Sequence, residues 1–135
     1  MTDHIELSIP ARAELIQLVR MAAAVVGARA DLALNDVEDL RLAVEELCLF
    51  LVGPTGNAPG RLELRYTWDD EAIEVTCTVT AGDDDRSASR GRPAAPDREA
   101  GGDLSMQILD ALVDEHGVLD SAEHTGAWLR MQRVR

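Results

Sequence analysis

The chain has 135 residues, with 25 acidic against 13 basic side chains and a formal charge of −12. That length suits one domain, expected to span residues 1–135, able to bury roughly two-thirds of its unfolded surface. A hydrophobic share of 46% with 3% aromatics calls for a core of Leu, Val, Ile, Ala and Met.

No apolar run reaches the ~20 residues of a bilayer span, and the first residues lack the basic and apolar parts of an export signal. So acidic a chain offers phosphates no basic face, which argues against direct nucleic-acid binding. The expectation is a cytoplasmic protein with no membrane contact. Its charge either steers it toward a basic partner or simply keeps it soluble. Cys48 and Cys77 lie in apolar periodic segments, as buried reduced thiols do, and with His116 they follow no metal-ligand spacing.

In chain order, residues 4–9 (His-Ile-Glu-Leu-Ser-Ile) alternate with the period of a half-buried strand. Pro10 suits the first turn of a helix, predicted over 11–27 with Leu15, Leu18, Val19, Ala22 and Val26 on one face and Gly27 as its stop. Arg12, Glu14, Gln17 and Arg20 then occupy its polar side and are the candidate partner-contact residues. A second helix starts at Asn35, which caps it while Glu38 closes a capping box. Val37, Leu40, Ala43, Val44, Leu47 and Leu51 form its apolar stripe, and Gly53-Pro54 ends it. Residues 62–66 and 73–79 read as alternating strands around a turn at Asp69-Asp70.

From Gly82 to Gly102 apolar periodicity vanishes, and a lid-like loop is expected over 83–102. A third helix follows over 104–116, with Leu104, Ile108 and Leu112 inward and Ala111 a further candidate. Strands at 118–119 and 127–134 close the chain. This order predicts an α+β fold: a two-layer α/β sandwich, with a mainly antiparallel sheet and helices packed on one face.

The run Asp39-Leu40-Arg41-Leu42-Ala43-Val44-Glu45-Glu46 carries a resemblance, supported by Gly101-Gly102-Asp103-Leu104-Ser105-Met106 leading into the third helix. Together they resemble the histidine-kinase-like ATPase family, in its anti-sigma and serine-protein kinase branch of the RsbW type, best matched by actinobacterial stress anti-sigma factors. The resemblance covers nearly the whole chain. It implies binding of an alternative sigma factor and, in many members, phosphorylation of a serine on an anti-anti-sigma (STAS) protein.

It also assigns parts to residues. Glu46 matches the family's general base or water positioner, with an exposed helix charge as the plainer reading. Four residues on, where the family places an asparagine ligand to Mg²⁺, this chain has Phe50, which has no lone pair for a hard cation. Ala81 stands near the adenine-reading carboxylate, with Asp83 a substitute only after a two-residue slip. Gly101 and Gly102 keep half of a phosphate-binding glycine box, while Ser105 replaces its next glycine. Arg20 matches an arginine used in partner contacts, its planar fork suited to carboxylates. Met21 and Ala22–Ala24 either form a patch for a homodimer, as in relatives, or face the core.

Three readings stand. The leading one is an anti-sigma factor with a degenerate ATP site that works by binding and needs no cofactor. The second is an active Mg-ATP-dependent serine kinase using Glu46. The third is a non-catalytic binding module for some other regulator.

Overall fold

Alternating apolar residues build a five-stranded sheet, and helical stripes cover one side of it. The computed structural model describes residues 3–80, 103–120 and 125–133. Strand β1 spans Asp3–Arg12, a short 3-10 turn Ala13–Leu15, α1 Ile16–Arg29, α2 Leu34–Val52, β2 Asn57–Trp68 and β3 Ala72–Thr80. Helix α3 (Asp103–Leu112), β4 (Glu115–Asp120) and β5 (Thr125–Gln132) follow. The sheet runs β1-β2-β3-β5-β4, and every pairing is antiparallel. The α+β sandwich expected from the sequence is the fold observed.

Register places Leu7 opposite Leu64, Leu64 opposite Cys77, and Cys77 opposite Ala127 across four strands. Period-2 side chains therefore align on one face. Against that face lie Val19, Ala23 and Val26 of α1 and Leu40, Val44, Leu47 and Leu51 of α2. The buried Tyr66 hydroxyl donates to the Val19 carbonyl at 3.0 Å, fixing α1 over β2. Burial pushes that phenol far above its ordinary pKa. Arg133 donates to the carbonyls of Ala30 and Asp69, joining the end of α1 to the β2–β3 turn. In that turn the Asp69 carboxylate accepts the N–H groups of Ala72 and Glu71, which hold its pKa below the usual carboxylate value. Cys48 and Cys77 are buried free thiols with sulfurs 3.9 Å apart; their mutual contact and their burial push the Cys48 thiol up.

Several boundaries differ from the sequence reading. Pro10 is not in a helix: it pairs opposite Arg61 in β1. An edge strand tolerates it because one side of its backbone needs no ladder partner. Helix α1 consequently starts at Ile16, and its buried row is Ile16, Val19, Ala23 and Val26, leaving Leu18 47% exposed. Gly27 does not stop α1. It lies inside the helix, where a Cβ would stand 3.1 Å from a Val37 methyl, so the absent side chain permits close approach of α2. The chain turns instead through Asp31 at φ 57°.

The second helix begins two residues earlier than expected, capped at Ala33 instead of Asn35, with no side-chain cap bond. Asn35 is already helical, and Glu38 pairs with Arg41 at 2.8 Å rather than reaching back. Helix α3 stops at Leu112, placing His116 in β4. Its inward row is Ser105 and Leu109, continued by Val113, while Leu104 is 62% exposed and Ala111 is exposed. A polar residue in the buried row hid the true phase. The last strand ends at Gln132, and Val134 and the lid expected at 83–102 lie outside the described residues.

Candidate functional site

Helix α2 supplies the site because its apolar stripe pins it to the sheet while its two flanks remain available to neighbours. Glu45 and Glu46 are consecutive and therefore point to different flanks. Glu45 turns toward α1, where its carboxylate lies 3.8 Å from Arg20. Glu46 turns toward α3 and accepts a hydrogen bond from the Ser105 hydroxyl, Oγ to Oε1, at 2.7 Å. Ser105 is 7% exposed and Glu46 half-buried. A short contact to an ionised oxygen is a charge-assisted bond, stronger than a neutral one.

One turn beyond Glu46, on the same flank, Phe50 is buried in the main core cluster. It offers packing and no oxygen. Among the described residues no three His, Cys, Asp or Glu side chains converge as a cage for a metal ion. At the two described positions nearest the expected metal, the Phe50 ring supplies no oxygen ligand and Ser105 engages the Glu46 carboxylate, neither of which favours a magnesium-bound nucleotide. Ala81, Asp83, Gly101 and Gly102, read from the sequence as adenine- and phosphate-site positions, lie outside the described residues.

The four residues assigned to partner contact divide into two places. Arg12, expected on a helix, lies at the end of β1. It approaches Glu14 at 3.7 Å, and both line an open pocket of about 400 Å³ with Gly56 and Asn57. The α2–β2 connection thus joins this pocket, which local reading of the first forty residues had no means to reveal. Gln17 is exposed on α1, and Arg20, also on α1, is half-buried against Glu45.

The small-residue patch is likewise divided. Met21 is exposed, Ala22 and Ala24 are half-buried, and Ala23 is core. The exposed apolar stripe of α1 is Leu18, Met21 and Val25. Helical geometry puts this stripe roughly opposite the buried row Ile16, Val19, Ala23 and Val26, so it faces outward from the sheet. Sequence reading also missed the Glu46–Ser105 contact. Its one local signal was a serine recurring in phase with Leu109 and Val113.

The family profile described as "Histidine kinase-like ATPase domain" matches residues 9–133. The chain is 30% identical to the serine-protein kinase RsbW of Bacillus velezensis, over 98% of this chain and 89% of that protein. It is 26% identical to the serine-protein kinase RsbW of Bacillus subtilis, over 97% and 85% of the two chains. The anti-sigma-F factor RsbW of Mycobacterium tuberculosis is 32% identical over 82% of this chain and 58% of that protein.

Proposed function

The chain belongs to the histidine kinase-like ATPase family, and from that premise we propose an anti-sigma factor that sequesters an alternative sigma factor by binding rather than by phosphoryl transfer. Near full-length similarity to a serine-protein kinase, and similarity over 82% of this chain to a protein named an anti-sigma factor, support the regulatory half. The observation that carries the binding half is Phe50, buried one turn from Glu46. Phosphoryl transfer depends on metal and charge positioning, and an aromatic ring contributes to neither.

In this reading the chain works in the cytoplasm as a single domain, with a STAS-type anti-anti-sigma protein as the second partner. Among the described residues no helix is long and apolar enough to cross a membrane. The charge of −12 favours a sigma factor that presents a basic surface. Arg20 is the arginine assigned to the contact, and it lies half-buried with its guanidinium 3.8 Å from the Glu45 carboxylate. The outward-facing exposed stripe Leu18, Met21 and Val25 supports a two-fold dimer. Sedimentation at micromolar concentration should give twice the chain mass, and Met21→Glu should reduce it to one.

The test of function is co-purification with sigma factors from the native host at low salt. The expected result is one alternative sigma factor in stoichiometric complex, associating more slowly as salt rises. Recovery of no sigma factor would overturn the reading. The competing reading, an active serine kinase, draws on one observation: Glu46 is retained and already holds a serine hydroxyl at 2.7 Å.

A further inference from the structure

Helix α3 makes an unusual exchange at its first turn: Ser105 is buried while its neighbour Leu104 is 62% exposed. Burial preference alone would favour the opposite arrangement. Serines near a helix start ordinarily cap or bond their own backbone. Ser105 instead crosses to α2 and donates its only proton to Glu46, 59 positions away in the chain. The same face carries buried Leu109 and Val113 with Met106 and Leu112 partly buried, so the polar contact sits at the first turn of an otherwise apolar face.

The contact has a chemical meaning at this glutamate. A carboxylate acting on a serine must receive that serine's hydroxyl at roughly 2.6–3.2 Å. Ser105 Oγ stands within that range, at 2.7 Å from Oε1. We propose that Ser105 is an internal stand-in for a partner's serine: a positioning residue whose hydroxyl occupies the acceptor place at Glu46. This rests on the anti-sigma reading for the identity of the partner, a protein presenting an aliphatic hydroxyl. While Ser105 holds Glu46, that partner docks through surfaces elsewhere and its own serine goes unread. A hydroxyl entering from outside must first displace the first turn of α3.

Two measurements test this. In the first, amide exchange is followed on the full chain carrying Ser105→Ala, Glu46→Ala or both. The amides of Gln107, Ile108 and Leu109, which bond the carbonyls of the first turn of α3, should exchange about tenfold faster in each single variant, the scale of one lost charge-assisted bond. The double variant should be no faster, and amides of Val75 and Leu129 should not change. Unchanged exchange in α3, or increases that add in the double variant, would overturn the proposal.

In the second, calorimetry compares binding of the host's anti-anti-sigma protein with that of its acceptor-serine-to-alanine form, without nucleotide. The native chain should bind both within about twofold. Ser105→Gly should prefer the serine form by about five- to tenfold, as a newly made hydrogen bond to a charged group gives, and adding Glu46→Ala should abolish the preference. A tie that is merely structural would leave serine preference untouched by Ser105. Serine preference in the native chain, or none in Ser105→Gly, sinks the idea. If neither form binds any variant, the anti-sigma reading loses its second partner, and amide exchange still decides whether Ser105 holds Glu46.

Discussion

The two flanks of α2 are built differently. Toward α1, Gly27 opens space for Val37, and Arg20 meets Glu45 at the half-exposed rim. Toward α3, the Ser105–Glu46 bond lies one helical turn from a buried aromatic ring. The first flank is close packing that holds α1 against α2. The second is where chemistry would be, and there the residues serve packing and an internal contact. In the proposed reading the chain keeps its scaffold and its partner-facing surfaces while the flank beside Glu46 serves packing and an internal contact.

The contrast breaks most severely at Phe50. Phe50→Ala should cost about 3–5 kcal/mol in urea unfolding, and Phe50→Asn at least as much because an amide is then buried. A cost under ~1 kcal/mol would mean that the ring is not core and that the position is open for a ligand. Phe50→Asn alone should also fail to restore magnesium-nucleotide binding, since Ser105 still engages Glu46.

On the other flank, Gly27→Val should lose about 1–3 kcal/mol by forcing α1 from α2, measured the same way. Unchanged stability would show that the helices have slack there.

Tyr66→Phe should cost about 1 kcal/mol through its lost bond to Val19. It should also alter the response to alkali. The folded phenol's pKa is raised, so its stabilising contribution is complete below the unfolded value near ~10 and declines as pH climbs beyond it. Native protein should therefore lose stability above about pH 10, and the phenylalanine variant should lose less. Parallel stability profiles for the two proteins across that range would contradict the burial argument.

Arg20→Glu should change stability by no more than about 1 kcal/mol, because the Glu45 pair is partly solvated. The same change should weaken the sigma complex about tenfold or more. Normal affinity would clear Arg20 of the role.

Much of the scaffold was legible because its periods are unambiguous. The β2 and β3 alternation, the Asp69-Asp70 turn and the α2 stripe ending at Gly53 all appear as expected. The failures have local causes. Pro10 satisfies both an edge strand and a helix start, and only pairing with Arg61 distinguishes them. Gly27 reads as a stop until Val37 is placed beside it. In α3 the buried row contains Ser105, so hydrophobic periodicity selects Leu104 instead. The site divides the same way. Glu46 and Phe50 are local in sequence and share one helical flank, whereas the hydroxyl that engages Glu46 comes from a distant helix.

The most direct test is a calorimetric titration of the full chain with magnesium-ATP, paired with a labelled-phosphate assay on the anti-anti-sigma protein. A chain that acts by binding should show no saturable heat at micromolar nucleotide and should leave the partner unlabelled. Micromolar affinity together with label on the partner's serine would contradict it and identify a working kinase.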